Sequence, residues 1–321
     1  MAEKEKKDFV KSTVDAAKAV GQSTKNAAVK TKEEIVKLLD QDGNGQIDSA
    51  DIIIMAMKVP GVKIKRAEFL KREFQKYVPK EQIEKAIETN PATAGIDKAL
   101  VDKIADDVIK FERNAVSGIS VALGMPGGIA MAATIPADIA QYYGYMIRAA
   151  QKMLYLYGFP EIDTSEENLL LDSETLNSLT VCLGVMYGVA GANNAIKAMA
   201  KALAKGVEKQ LLKKALTKGT IYPIVKAVAK WFGQKMTKEV FAGFFKKSIP
   251  VVGGVIGGGI TFATFKPCCY RLKEALQDTL LSNPNHFETD EEKKIYENIE
   301  NGVIDVEPGE IREVDNSDDK L

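Results

Sequence analysis

The sequence predicts an all-α protein, a multi-helix bundle with glycine-rich buried helices that follows a smaller helical segment. Three observations favour this fold class. Apolar residues recur every three or four positions through most of the chain, capping residues and Pro-Gly turns separate these segments, and no run of alternating apolar and polar residues indicates a strand. With 321 residues, 45% of them hydrophobic, the chain can bury a substantial core.

The first segment, residues 1–95, is predicted to be helical around one polar loop. Apolar residues from Phe9 to Val20 have helical spacing, and the charged residues before them do not predict a secretory signal. The stretch from Thr31 to Glu34 has a capping-box pattern, and the apolar residues after it continue a helix up to the loop.

The strongest motif of the chain is the twelve-residue stretch 40–51, which matches the calcium-binding loop of an EF-hand. Oxygen donors stand at its six ligand positions: Asp40, Asp42, Asn44, Gln46 through its backbone carbonyl, Asp48 and Asp51. Gly45 permits the sharp turn that wraps the chain around a hard cation. Because Asp51 replaces the usual bidentate glutamate, we expect weaker Ca²⁺ binding or acceptance of Mg²⁺. The alternative is a polar interhelical turn without metal.

Four helices are predicted after the loop, separated by proline and glycine turns: residues 51–57, 66–78, 81–88 and a long one from 97 past 112. The long helix opens the second predicted segment, a helical domain of residues 96–283. An acidic tail, residues 284–321, follows it and is expected to be partly disordered.

Three stretches without charged residues characterise the second segment: 24 residues between Arg113 and Asp138, 22 between Glu174 and Lys197, and 18 between Lys247 and Lys266. Each is long enough to cross a bilayer. Glycines and prolines such as Pro126 and Gly127 would, however, leave backbone groups unpaired in hydrocarbon. We therefore interpret the stretches as buried core helices, and membrane-spanning segments of a pore or transporter are the alternative.

The helix that follows the first uncharged stretch carries a polar and aromatic face. Five of its side chains are candidates to line a ligand cleft: Asp138, Gln141, Tyr142, Arg148 and Gln151. A cleft around Asp138 and Arg148 would favour an enzyme or a small-molecule binder. The alternative is a hydrogen-bond network between helices, because buried polar groups need partners.

Charge is distributed unevenly along the second half of the chain. Between Asn194 and Lys247 there are thirteen lysines and two acids, whereas Phe287 to Leu321 holds thirteen acids and four basic residues. This asymmetry indicates an anionic partner for the basic region, or an acidic segment that folds back over the basic region and competes with that partner.

Five lysines in steps of four form a row on one predicted amphipathic helix: Lys197, Lys201, Lys205, Lys209 and Lys213. This row is a candidate contact with an anionic membrane surface, and a solvated surface helix is the alternative.

The second segment resembles the EcsC protein family. The resemblance covers Lys98 to Leu281 and rests on four groups of residues: 117–128 (SGISVALGMPGG), 135–138 (IPAD), Arg148 with 155–158 (YLYG), and 249–258 (IPVVGGVIGG). The family is bacterial, is named for a gene neighbour of an ABC exporter, and has no assigned biochemical activity. The resemblance therefore implies a cytoplasmic or membrane-peripheral setting but no reaction.

Composition excludes several functional classes. The 44 basic and 44 acidic residues balance, so the basic excess of a general nucleic-acid binder is missing. Three cysteines, two of them the adjacent Cys268 and Cys269, cannot form a disulfide framework, which favours the cytoplasm. The single histidine, His286, lies in a turn-rich polar stretch where we expect a solvated side chain, so a histidine-based triad is not expected.

These features together predict a non-enzymatic binding or scaffold module at the cytoplasmic face of the membrane, with Ca²⁺ or Mg²⁺ bound at a single EF-hand-like loop. The expected partners are an anionic membrane surface or a membrane protein, and no nucleic acid. An enzyme or small-molecule binder that uses the cleft around Asp138 and Arg148 is the rival hypothesis.

Overall fold

The computed structural model describes residues 39–41, 43, 45, 47–124, 135–163, 174–246 and 252–304. Within these ranges, the side chains of 118–124, 135–138, 235–246 and 252–262 are not described. The predicted helices before residue 39, the acidic residues after 304, and the loop positions Asp42, Asn44 and Gln46 lie outside the described residues.

Within the described ranges the chain forms eleven helices and no strand, which confirms the all-α multi-helix fold. In chain order they are α1 (Ser49–Met57), α2 (Arg66–Phe74), α3 (Lys80–Glu88), α4 (Lys98–Gly124), α5 (Ile135–Leu156), α6 (Glu174–Tyr187), α7 (Ala192–Ala204), α8 (Lys209–Thr217), α9 (Tyr222–Lys246), α10 (Val252–Gln277) and α11 (Asp290–Glu300).

The short helices after the loop lie where the sequence predicts them. Helix α2 buries Phe69, Leu70 and Phe74, which belong to the predicted apolar stripe. It ends at Phe74 rather than at Val78, because the following residues form a turn in which the Tyr77 amide donates to the Phe74 carbonyl at 2.8 Å. The side chain of Tyr77, predicted on the same stripe, is 47% exposed as a result.

Arg66, the first residue of α2, holds α2 and α3 together. Its guanidinium is buried and donates to four backbone carbonyls: Ala86 (3.1 Å), Ile87 (2.6 Å), Thr89 (3.0 Å) and Phe159 (3.0 Å). Three of these carbonyls lie at the carboxyl end of α3, where carbonyls lack helical partners and a cation is favoured.

Helix α5 is the central element of the bundle. It packs against α1, α4 and α10, and α10 also runs along α4. Its side chains are buried on both faces, including Tyr145, Met146 and Tyr155. A helix that is surrounded by other helices must satisfy its polar groups internally, and this requirement determines the roles of its charged residues.

One hydrophobic cluster connects the described residues from Leu39 to Ile299. Helix α1 packs against α5, α6 and α9, and α11 packs against α7 and α8. Buried side chains on both sides of residue 95 and of residue 283 thus belong to the same core. The division of the chain into segments at residues 95 and 283 stays a prediction from the sequence.

The middle uncharged stretch forms α6 and the first residues of α7, and its apolar side chains, such as Leu179 and Leu183, are buried in the core. The turn between the two helices uses Gly188 and Gly191, which have φ angles of +70° and +82°. Across the described part of the chain, no helix combines the length and hydropathy needed to cross a membrane.

Candidate functional site

The polar loop before α1 is folded around the carboxylate of Asp40. The amides of Gly43 and Gly45 donate to its two oxygens at 2.7 and 2.9 Å. Both glycines have positive φ angles, +76° and +81°, which residues with a side chain rarely adopt. The tight turn that the sequence predicts at Gly45 is therefore formed.

Asp51 closes the loop from the other side and also belongs to α1. One carboxylate oxygen accepts the Gln41 amide at 2.6 Å, and the other accepts the Asp48 amide at 2.9 Å. The Asp48 side chain in turn accepts the Ala50 amide at 2.6 Å and also the Asp51 amide, so that Asp48 and Asp51 form a capping box at the start of α1. Asp51 is fully buried, because the loop encloses its carboxylate.

The loop is anchored to the core by Ile47, whose side chain is buried. The Ile47 carbonyl lies against α9 at Gly233, where an added Cβ would stand only 2.7 Å from the carbonyl oxygen. Any side chain at this position would therefore displace the loop or the helix.

The described loop residues offer carboxylate oxygens, which are the donors that Ca²⁺ and Mg²⁺ prefer. Asp40, Asp48 and Asp51 are the candidate ligands whose geometry is described. Among the described residues, no three His, Cys, Asp or Glu side chains stand close enough together to hold a metal ion. Metal binding at this loop stays a prediction, and its other three positions are outside the described residues.

The predicted cleft residues Arg148 and Gln151 are buried and bind the protein itself. Arg148 donates from Nε to Glu112 at 2.9 Å and from Nη1 to the Gly61 carbonyl. Gln151 accepts the Ile64 amide at 3.2 Å and donates to the Val62 carbonyl at 2.9 Å. Both side chains thus fix the segment between α1 and α2 onto α5.

The other predicted cleft residues do not form a cavity with them among the described residues. Gln141 is buried, and the Tyr142 hydroxyl lies 3.3 Å from the hydroxyl of Thr264 on α10. Burial raises the pKa of Tyr142 to about 12 despite this contact. The side chain of Asp138 lies outside the described ones. The described geometry therefore favours the interhelical network over the cleft.

Glu112 on α4 is the acidic centre of this network, and it was not among the predicted site residues. Its Oε1 accepts from both Arg148 and Lys152, and all three side chains are buried. Burial alone would raise the pKa of Glu112, but the two cations outweigh it and lower the pKa. For Lys152, burial is the largest effect and lowers the pKa to about 8, although Glu112 opposes it. Sequence periodicity placed Glu112 on a helix but gave no sign of partners 36 and 40 residues away.

Two cavities lined by described residues lie elsewhere. One, of about 500 Å³, is an open depression between α7 and α11, lined by Asn194, Glu291 and Asn298 among others. The second, of about 30 Å³, lies beside Tyr157 and Ser282. None of the predicted cleft residues lines either cavity.

The row of five lysines is divided between two helices, so the prediction of one continuous helix was wrong. Helix α7 ends at Ala204, and α8 begins at Lys209. Gly206 has a φ angle of +71°, its amide donates to Leu203, and the Val207 amide donates back to Ala202 at 2.9 Å. These bonds form a Schellman motif, which ends a helix. Gly206 was the sequence signal for this break.

The first two lysines of the row contact acidic residues rather than solvent. Lys197 donates to Asp278 and Lys201 donates to Glu288, each at 2.7 Å. The ammonium of Lys201 also lies 4.1 Å from the centre of the Tyr296 ring on α11. In contrast, Lys205 and the two lysines of the row in α8, Lys209 and Lys213, are exposed.

The chain between α10 and α11 is centred on His286, whose side chain is only 2% exposed. The prediction of a solvated histidine was therefore wrong. Its Nδ1 lies 2.8 Å from Asp278, and its Nε2 lies 2.9 Å from Glu292. Glu292 also completes a capping box with Thr289 at the start of α11. Residues 290–300 of the predicted acidic tail thus form a helix that packs against α7.

The three cysteines are free and buried, as expected for core thiols. Burial raises the pKa of Cys182 to about 12, which keeps the thiol protonated and unreactive at neutral pH.

In comparisons with protein-family models, with curated proteins and with solved structures, no family, protein or structure matches this chain.

Proposed function

We propose that this protein is a non-enzymatic binding module with two contacts: a divalent metal ion, Ca²⁺ or Mg²⁺, at the loop before α1, and an anionic membrane surface at the exposed lysines around α8. It would act at the cytoplasmic face of a bacterial membrane, the setting that the resemblance to the EcsC family implies. The observation that carries the proposal is the loop, in which Asp40 accepts the amides of two glycines of positive φ and Asp51 accepts the amide of Gln41 across the loop.

Three of the six predicted ligands are described carboxylates, Asp40, Asp48 and Asp51, and an ion bound by all three would have to draw them closer together than they stand in the described structure. Because Asp51 is also the third residue of α1 and part of its capping box, an ion that favours one arrangement of Asp51 also favours one arrangement of the helix start. Because α1 packs against α5, α6 and α9, a change in the arrangement of the helix start would also change its contacts with these helices.

Calorimetric titration of the full chain with CaCl₂ and with MgCl₂ tests the metal site. We expect binding heat from the wild type and its loss in Asp40→Ala. Asp107→Ala is the matched control, because Asp107 is an exposed aspartate on α4 outside the loop. Equal heats from the wild type and from Asp40→Ala would remove the assignment.

Three exposed lysines that follow one another at the junction of α7 and α8 support the membrane contact: Lys205, Lys209 and Lys213. Lysines close to an anionic surface each contribute on the order of 1 kcal/mol, and salt weakens this contribution. Contacts of this kind require exposed ammonium groups, and the described structure leaves these three exposed.

Flotation with vesicles that contain phosphatidylserine, in the presence of calcium and of a chelator, tests the membrane contact. We expect the wild type to float, and the triple change Lys205→Gln, Lys209→Gln and Lys213→Gln to reduce flotation. The control removes the same charge from three exposed lysines elsewhere: Lys63, Lys76 and Lys110. Equal losses in the two triple variants would indicate only a general charge effect, and no flotation in either condition would remove the membrane contact.

A further inference from the structure

We propose that residues 278–300 form an autoinhibitory cover over the basic face of α7, and that its release adds Lys197 and Lys201 to the surface that binds anionic membranes. This inference rests on the membrane contact proposed above and names its regulation. Residues 278–300, from Asp278 through the end of α11, are called the acidic cover.

The acidic cover neutralises two lysines of α7. Asp278, just after α10, forms an ion pair with the ammonium of Lys197. Glu288, just before α11, forms an ion pair with that of Lys201. The side chains of these lysines are 11% and 14% exposed. Lys205, one turn further along the same face, is exposed. The lysine side chains that pair with the acidic cover are therefore nearly buried, and the lysine that follows them without such a pair is exposed.

A compact set of contacts holds the acidic cover in place. His286 lies between Asp278 and Glu292, at 2.8 and 2.9 Å, and so joins the end of α10 to the start of α11. A neutral imidazole can donate to one carboxylate, whereas an imidazolium donates to both. Tyr296 and Ile299 are the buried apolar residues of α11. Asn194 on α7 adds a hydrogen bond to Glu291 at 2.8 Å.

Several features make release of the cover feasible. The apolar contact of α11 with the core is limited to three side chains, of which Tyr296 and Ile299 are buried and Ile295 is partly buried. The side chain of Asp278 is 50% exposed, so its ion pair with Lys197 is open to competition. Phe287, between His286 and Glu288, is 85% exposed and adds no packing.

An anionic surface is the competitor that fits this geometry. Lipid phosphates and carboxylates can replace Asp278 and Glu288 as partners of the same lysines. The closed cover also opposes approach to such a surface, because Asp290, Glu291 and Glu297 on α11 are exposed. Release therefore gains two cations for the surface and removes nearby acidic charge, and a membrane that prefers the open form shifts the population toward it.

Reaction of lysines with acetic anhydride, followed by mass spectrometry, tests the cover without lipid. In the wild type we expect Lys197 and Lys201 to react about tenfold more slowly than Lys205, because reaction requires local opening. In the double variant Asp278→Asn, Glu288→Gln we expect the three lysines to react at similar rates. Equal rates in the wild type would overturn the cover.

Flotation with phosphatidylserine vesicles tests the inhibition. We expect the double variant to float more than the wild type, and more than the control Asp290→Asn, Glu297→Gln, which removes the same charge from exposed positions of α11. Adding Lys197→Gln and Lys201→Gln to the double variant should cancel the gain.

The outcomes separate the two proposals. Equal flotation of the double variant and its control, with flotation still dependent on Lys205, Lys209 and Lys213, overturns the cover and leaves the membrane contact. Freed lysines without flotation of any variant overturn both.

Discussion

Glu112 and Arg148 form an ion pair inside the interface between α4 and α5, with 2.9 Å between Arg148 Nε and Glu112 Oε1. Lys152, one turn after Arg148, donates to the same oxygen. Arg148, a predicted cleft residue, and Lys152 are therefore partners of one buried carboxylate. Their role in the described structure is to connect α4, α5 and the segment after α1.

We expect the change Glu112→Gln to destabilise the protein strongly. It removes the negative charge but leaves Arg148 and Lys152 buried, and uncompensated buried charge typically costs about 3–5 kcal/mol. The free energy of unfolding from urea titration measures the effect. Asp107→Asn is the control, since Asp107 is exposed on the same helix and should change stability by less than about 0.5 kcal/mol. Similar losses in both variants would contradict a structural role for the ion pair.

Stability should fall in acid because of Glu112. Its pKa is lowered in the folded protein from the ordinary value of 4.5, so the unfolded chain binds more protons between the two values. The stabilisation from Glu112 is therefore fully present above about pH 4.5 and is lost as the pH falls through the lower, folded value. Urea midpoints between pH 7 and pH 3 should decline more steeply for the wild type than for Glu112→Gln. Parallel declines would show that other carboxylates cause the acid sensitivity.

The change Asp51→Asn should destabilise the loop and the start of α1. Both oxygens of Asp51 accept backbone amides, and an asparagine would place an NH₂ group against one of them. Leaving a buried donor without its acceptor costs about 1–3 kcal/mol. Thermal unfolding and the calorimetric calcium titration should both change. The matched control is Asp290→Asn, whose side chain is fully exposed, and equal stability of the two variants would contradict this account.

Arg66→Lys should be costly although it keeps the charge. A guanidinium donates through several N–H groups in a fixed plane, whereas a lysine ammonium cannot reach four carbonyls at once. At least one carbonyl at the end of α3 would lose its partner, at a cost of about 1–3 kcal/mol. Urea titration of Arg66→Lys and of Arg72→Lys compares this site with an arginine that pairs with Glu73 on its own helix. A larger effect at Arg72 would contradict the prediction.

Local patterns predicted most of the fold. The spacing of Phe69, Leu70 and Phe74 identified α2, and proline and glycine turns identified its neighbours, because helix formation and termination depend on residues within one or two turns. The exposure of Tyr77 and the helix break at Gly206 were not predicted. In both places the chain leaves the α-helix because a backbone amide donates to a carbonyl three residues earlier instead of four.

The polar contacts could not be predicted in the same way. His286 lies in a polar, turn-rich stretch, yet Asp278 and Glu292 bury it because the chain reverses between α10 and α11. Arg148 and Gln151 bind backbone carbonyls of the segment after α1, and a carbonyl carries no sequence signature. Helical spacing shows which side chains share a face but does not show which element covers that face.

The polar loop and α1 cannot serve as a portable sensor that is cut out and attached to another protein. Ile52, Ile53 and Ala56 of α1 are completely inaccessible to solvent in the intact chain. An excised fragment would expose these three side chains to water. The remaining bundle would expose the apolar surface of α5 that α1 covers in the intact chain. Any signal received at the loop is consequently tied to the integrity of the whole molecule, so fusion designs should retain the chain through α11.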